Sequence, residues 1–154
     1  MRFNIFCILL IIITINCKAQ SIQVIKFNDL KQRVFNQSDT TYVVNFFASW
    51  CAPCLKEIPA FLQLIDSSQN SKTKVLLVSV EFKIDAEKNL EPIINKYLLP
   101  PIYLLDEPNG NIWINEIDNN WSGAIPATLI VKKNRKRRFI VTSLTFAKLI
   151  KLIK

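Results

Sequence analysis

Apolar and polar residues fall in blocks along this chain, and the blocks change period from one to the next. Residues 40–48, TTYVVNFFA, are β-branched or aromatic and apolar on nearly every side, which predicts a strand buried on both faces. KVLLVSVEF at 74–82 predicts a second such strand, and IYLLD at 102–106 a short third one. From Ala52 the period becomes helical: Leu55, Ile58, Leu62 and Ile65 recur behind Pro53, which suits a first helical turn. Pro59 lies inside that run and should kink the helix. Leu90, Ile93, Ile94, Tyr97 and Leu98 predict a helix over 86–98, stopped before Pro100-Pro101.

The remaining stretches are weaker in pattern. Residues 21–38 are mixed and polar, with SIQVIKF suited to an edge strand, and EPNGN at 107–111 predicts a turn. Residues 111–124 read as irregular, carrying Trp113 and Trp121. ATLIVKK, a turn at NRK and a returning RRFIVTS predict a hairpin, and LTFAKLIKLIK predicts a closing amphipathic helix. Strands alternating with helices, then a hairpin and helix, predict one α/β domain with a mixed sheet flanked by helices.

The N-terminus stands apart. MRFNIFCILLIIITINCKAQ has an Arg at position 2, an apolar run from Ile5 to Ile15, then small and polar residues. That run has the length of a signal-peptide core and is short for a bilayer span. Residues 1–19 are therefore read as an export signal and 20–154 as the domain. Cys17 and Ala19 suit the small positions of a cleavage site; alternatively, Cys17 is the lipid-modified cysteine of a lipoprotein.

Export simplifies the cysteines. Of four, Cys7 lies within the signal and Cys17 is either removed or lipidated, which leaves Cys51 and Cys54 in a compartment where disulfides persist. Charge is uneven: residues 20–131 carry nine Lys/Arg against twelve Asp/Glu, whereas 132–154 carry nine Lys/Arg and no acid. The run at 132–138 reads as a solvated hairpin turn, with anionic lipid or an acidic partner as the other reading. Nucleic-acid binding is not expected, since no aromatic residues interleave in that patch. Only two glycines occur, which excludes a Gly-rich phosphate loop.

FASWCAPCL at 47–55 carries the candidate chemistry. Structural zinc needs four nitrogen or sulfur ligands, and the chain has no histidine and no second mature cysteine pair. No metal and no cofactor are expected, although a site shared between two chains stays open. A bridge spanning two residues hardly constrains the unfolded chain, so a structural staple gains little. A redox pair gives each residue a reason. Cys51 at a helix N-terminus is favoured as thiolate and nucleophile. Cys54, one turn later and more buried, resolves the mixed disulfide. Ala52-Pro53 sets the turn, and Trp50 either covers the pair and faces a partner or packs in the core. Glu57 lies on the Cys54 face, where it is either a proton carrier or an exposed helical Glu. Ile125-Pro126, before the ATLIV strand, is placed to border the thiols if its peptide bond is cis.

VVNFFASWCAPCLKEIP (43–59) together with GAIPATLIV (123–131) resembles the thioredoxin superfamily, in its TlpA/ResA-like branch of exported thiol–disulfide oxidoreductases. The resemblance spans about residues 22–153. It implies a thioredoxin fold, with residues 84–105 as the branch's extra helix-strand unit. Cys51 then matches the nucleophile, Cys54 the resolving cysteine, Pro126 the cis-proline, Pro59 the helix-kinking proline and Glu57 the branch's acidic residue. Asn45 stands where cytoplasmic thioredoxins carry a buried Asp, which moves proton handling from strand to helix. Phe47 replaces the usual second aromatic, Trp, and NNWSG is expected to bring Trp121 close to the site's rim.

The resemblance also implies a function: a periplasmic reductase of disulfide-bearing exported proteins, serving cytochrome c maturation and re-reduced by a membrane thiol donor. A monomer is expected, with membrane association through a Cys17 lipid or the basic C-terminal segment. The alternatives are an oxidase or isomerase with the same site, or a binding module that turns over little. A peroxiredoxin shares the fold but carries its cysteine in a Thr-containing loop without this pair.

Overall fold

The computed structural model describes residues 21–36, 39–132 and 136–154. The segment read above as an export signal, with Cys17, and the tip of the basic turn therefore lie outside the described residues. The elements run β1 (Ile22–Ile25), α1 (Phe27–Phe35), β2 (Thr41–Phe47), α2 (Ala52–Ser67), β3 (Thr73–Ser79) and α3 (Lys83–Tyr97). There follow β4 (Ile102–Leu105), α4 (Gly110–Ile117), β5 (Ala127–Val131), β6 (Arg137–Ile140) and α5 (Phe146–Ile153).

The six strands form one mixed sheet in the order β1-β4-β3-β2-β5-β6. β2 sits inside it, parallel to β3 and antiparallel to β5. Six of its seven residues are buried, as its apolar run, interrupted only by Asn45 after Thr41, requires. Val43 and Phe47 face one side of the sheet, and Tyr42, Val44 and Phe46 the other. On the first side pack α2, α3 and α5, through residues such as Phe61, Leu90 and Leu149. On the second pack α1 and α4, through Leu30, Val34 and Trp113. The result is a three-layer sandwich, and β1 and β6 are its edges.

Two helices occupy stretches whose pattern predicted none. α1 fills most of the segment read as mixed and polar, burying Phe27, Leu30 and Val34. Those positions follow i, i+3, i+7, so the helical signal was present beneath a polar composition. α4 replaces the irregular reading of 111–124: Asn109 caps it by accepting from the Asn111 N–H, and it buries Trp113 and Ile117.

The inward stripe of α2 is rotated from the expected one. Cys54, Glu57, Ile58, Phe61 and Leu64 are buried, while Leu55, Leu62 and Ile65 are only half-buried. The helix runs on through Pro59 to Ser67. α3 begins three residues earlier than expected, and Leu98 is not part of its apolar face. Leu98 takes the left-handed cap position at φ 52° and is 85% exposed.

Trp121 does not stand at a rim. It is 4% exposed and belongs to an aromatic cluster with Phe46 (5.2 Å), Trp113 (5.3 Å) and Phe139 (4.9 Å) between ring centroids. Its indole N–H donates to the Ala124 carbonyl at 2.8 Å, so the polar end of the ring is satisfied while its body is buried. Trp121→Ala is expected to lower unfolding stability by about 3–5 kcal/mol, as loss of a buried large aromatic does. A urea titration followed by far-UV circular dichroism would test this, and a loss below about 1 kcal/mol would show that the cluster is dispensable.

Candidate active site

The redox pair sits where β2 hands the chain to α2. Cys51 is the N-cap of α2, and Pro53 stands in its first turn, where the missing N–H costs nothing. Cys51 and Cys54 are joined by a disulfide with their Cα atoms 5.2 Å apart, and the Cys54 N–H points at Cys51 Sγ at 3.3 Å. Cys51 is 5% exposed and Cys54 fully buried. In the reduced protein, the helix N-terminus and that N–H would stabilise a thiolate on Cys51 more than on Cys54.

The outer face of the site is apolar and open. Trp50 is 70% exposed, which disposes of a core-packing role, and Ala52 and Pro53 are also exposed. The Ile125-Pro126 bond is cis. Ala127 pairs with Phe46, so Ile125 and Pro126 lie at the strand end from which residues 48–51 depart. Ile125 is half-buried and Pro126 buried. The structure thus gathers Trp50, Cys51, Cys54, Ile125 and Pro126 at one end of the central strands.

Glu57 lies behind the pair, 4% exposed, which removes the exposed-helix alternative. Asn45 Nδ2 donates to its Oε1 at 2.7 Å, and the Leu144 N–H donates to Oε2 at 2.7 Å. Burial holds the Glu57 carboxyl above its ordinary pKa; the hydrogen bonds from Leu144 and Asn45 pull the other way without cancelling that effect.

Three further groups were not legible in the motif. The Leu144 N–H comes from 87 positions away in sequence, and Ser143 Oγ from the same segment donates to the Pro53 carbonyl at 3.5 Å. Glu81, also buried, accepts from the Ser49 hydroxyl, and its Oε2 accepts from Ser79 Oγ at 3.3 Å. That carboxylate ties the loop before Cys51 to the end of β3. A Ser two residues before the cysteine and an acid just past a buried strand are too common to be a signal alone.

The raised Glu57 pKa has a signed consequence. Between the unfolded and folded pKa values the native state holds more protons, so native stability falls as pH rises through that window. Glu57→Gln removes this dependence. The variant is therefore expected to gain stability relative to wild type as pH rises from about 4 to about 8 in matched urea titrations. A relative loss over the same range would mean that the carboxyl titrates below its ordinary value.

Comparison with known proteins agrees with this geometry. A model of the AhpC/TSA family matches residues 13–140. Over 109 residues the chain is 32% identical to chloroplastic thioredoxin Y2 of Arabidopsis thaliana, covering 70% of this chain and 54% of that protein. Over 100 residues it is 26% identical to the thiol-disulfide oxidoreductase ResA of Geobacillus thermodenitrificans, covering 64% and 52%. The chain thus spans about half the length of these two relatives. Among solved structures, a thioredoxin-related protein from Neisseria meningitidis serogroup B superposes with a TM-score of 0.64 at 20% identity, over 74% of this chain and 82% of that one. StoA from Bacillus subtilis gives 0.58 at 22% identity, over 74% and 82%. These superpositions establish a thioredoxin-like fold. With the family match covering most of its length, the chain belongs to the AhpC/TSA family of the thioredoxin superfamily.

Proposed function

We propose that this protein is a thiol–disulfide oxidoreductase that reduces disulfides in exported proteins. The observation that carries the reading is the Cys51–Cys54 disulfide at a helix N-terminus, with the buried Glu57 carboxyl one turn behind it.

The reduced protein starts as Cys51 thiolate and Cys54 thiol. Cys51 Sγ attacks one sulfur of the client disulfide, forming a mixed disulfide and expelling the client's other sulfur as thiolate. Cys54 passes its proton to the Glu57 carboxylate, and the resulting thiolate attacks Cys51 Sγ. The Cys51–Cys54 bond forms, the mixed disulfide breaks, and the client leaves with both electrons as a dithiol after taking up protons. A thiol donor at the membrane then reduces the pair again. Trp50, Ala52 and Pro53 on one side and Ile125-Pro126 on the other border the client's approach.

Export through residues 1–19, with or without a lipid on Cys17, places this chemistry in the periplasm. The resemblance of WCAPC and GAIPATLIV to the TlpA/ResA-like branch implies the reducing direction and a client such as an apocytochrome c. No helix among the described residues is long and apolar enough to cross a membrane.

The reading is checked by insulin turbidity in dithiothreitol. Wild type is expected to accelerate precipitation, Cys51→Ser to abolish the effect, and Glu57→Gln to slow it by up to about 100-fold. Equal activity of Cys51→Ser and wild type would defeat the enzyme reading. In the exporting cell, Cys54→Ser is expected to accumulate a mixed disulfide with its client. Equilibration with glutathione should give a potential nearer about −270 mV than about −120 mV, and a value at the upper end would reverse the direction proposed.

A further inference from the structure

Among the described residues, two buried polar atoms in the sheet stand without a hydrogen-bond partner: Asn45 Oδ1 and Thr128 Oγ1. Both residues are 0% exposed. They oppose each other across the antiparallel β2–β5 pair, so their side chains share one face. It is the α2 face, because Val43, Phe47 and Ile130 beside them pack there. The other neighbours of Asn45 on that face, Val43, Phe47 and Leu77 across β3, are apolar. Among these neighbours, Thr128 is the polar group to which the Asn45 amide can turn.

The remaining half of that amide is already engaged, since Nδ2 donates to Glu57 Oε1 at 2.7 Å. This arrangement suits a carboxylate, which can only accept. A protonated Glu57 must donate its hydrogen somewhere, and an N–H in that position opposes it. The oxygen and nitrogen of an amide are nearly the same size, so turning the group over exchanges donor for acceptor without repacking.

We propose that Asn45 turns over when Glu57 changes protonation state, and that the Thr128 hydroxyl serves whichever amide atom is left over. With Glu57 ionised, Nδ2–H donates to Glu57 Oε1 and the Thr128 O–H donates to Oδ1. With Glu57 protonated, its Oε1–H donates to Asn45 Oδ1, and Nδ2–H donates to Thr128 Oγ1. In this scheme the hydroxyl turns to the amide by rotation about its χ1 bond, and its ability both to donate and to accept lets one residue serve both states. Glu57 then keeps a partner on each oxygen whether charged or neutral, with Leu144 N–H on Oε2 throughout.

Asn45 and Thr128 are positioning residues in this scheme, and its catalytic meaning rests on Glu57 being the proton carrier proposed above. The surroundings leave the titration to Glu57 itself. β2, β3 and β5 present to it Asn45, Leu77 and Thr128, none of them charged. Lys56 and Asp66 on α2, and Lys148 and Lys151 on α5, are exposed to solvent. The thiols of Cys51 and Cys54 join the titration only after reduction.

The test uses the full, oxidised protein labelled with 15N and 13C. The Glu57 midpoint is read from its carboxyl carbon shift, and nuclear Overhauser contacts of the Asn45 Nδ2 protons are followed over the same pH range. Above the midpoint these protons should contact the Glu57 γ protons; below it, the Thr128 methyl group, with the exchange centred on the Glu57 midpoint. Unchanged contacts through the midpoint overturn the proposal. Thr128→Val keeps the volume and removes the hydroxyl, and is expected to hold the amide in one orientation at both pH values. A surviving switch in that variant overturns the part assigned to Thr128. Should Thr128→Val fail to fold, the wild-type contacts still decide. A switch seen while Glu57→Gln exchanges disulfides at the wild-type rate would uphold the device and defeat the proton-carrier reading. A fixed amide with a slow Glu57→Gln would do the reverse.

Discussion

The carboxylate of Glu57 lies in the apolar layer between the sheet and α2, where an unpaired charge is strongly disfavoured. Its two oxygens are met by one side chain from β2 and one backbone N–H from the segment entering α5. Each of those partners has few alternatives of its own. Asn45 is fully buried, and the Leu144 N–H is buried with the leucine that anchors its segment to the core. The carboxylate therefore sets the depth at which α2 sits on the sheet, and it pins the C-terminal segment against the first turns of α2. Ser143, reaching the Pro53 carbonyl, extends the same junction toward the disulfide.

The site divides its work between a front and a back. In front, Trp50, Ala52 and Pro53 are open to solvent, as a surface that meets another polypeptide must be. Behind, Cys54 and Glu57 are sealed from water, as the proton transfer proposed between them requires. Cys51 joins the two regions, held at the cap of α2 where backbone N–H groups stabilise negative charge. Burial and dipole thus separate the two chemically identical cysteines.

Much of this was legible in the residues, and what was hidden has physical reasons. The run TYVVNFF admits little but a central strand, and a WCAPC run ahead of a helical period places the disulfide at a helix start. α1 was missed because Asn28, Asp29, Lys31, Gln32 and Arg33 outnumber the three residues it buries. α4 was missed because Pro108, Asn109 and Gly110 spell a turn, and its two buried residues are too few to announce a period. The stripe of α2 was misjudged because apolar residues lie on both stripes, Leu55, Leu62 and Ile65 on one and Phe61 and Leu64 on the other, and the buried Glu57 hides which faces inward. Trp121 was set at the rim by its closeness to Pro126 in sequence, whereas its ring turns inward to Phe46. The Leu144 contact closes a span of 87 residues, beyond the reach of any local pattern.

The basic stretch acquires a meaning from where β6 lies. As the last strand of the sheet among the described residues, it offers one row of backbone N–H and C=O groups with no strand beyond it. Such a row invites a second copy of the same strand. A strand added there would have to lie alongside Arg137 and Arg138, and charged side chains on an edge strand disfavour such pairing. Arg137 is further committed to its own molecule, its guanidinium stacked 3.9 Å over the Phe35 ring. Charge at Arg137 and Arg138 thus weighs against growth of the sheet from one molecule into the next.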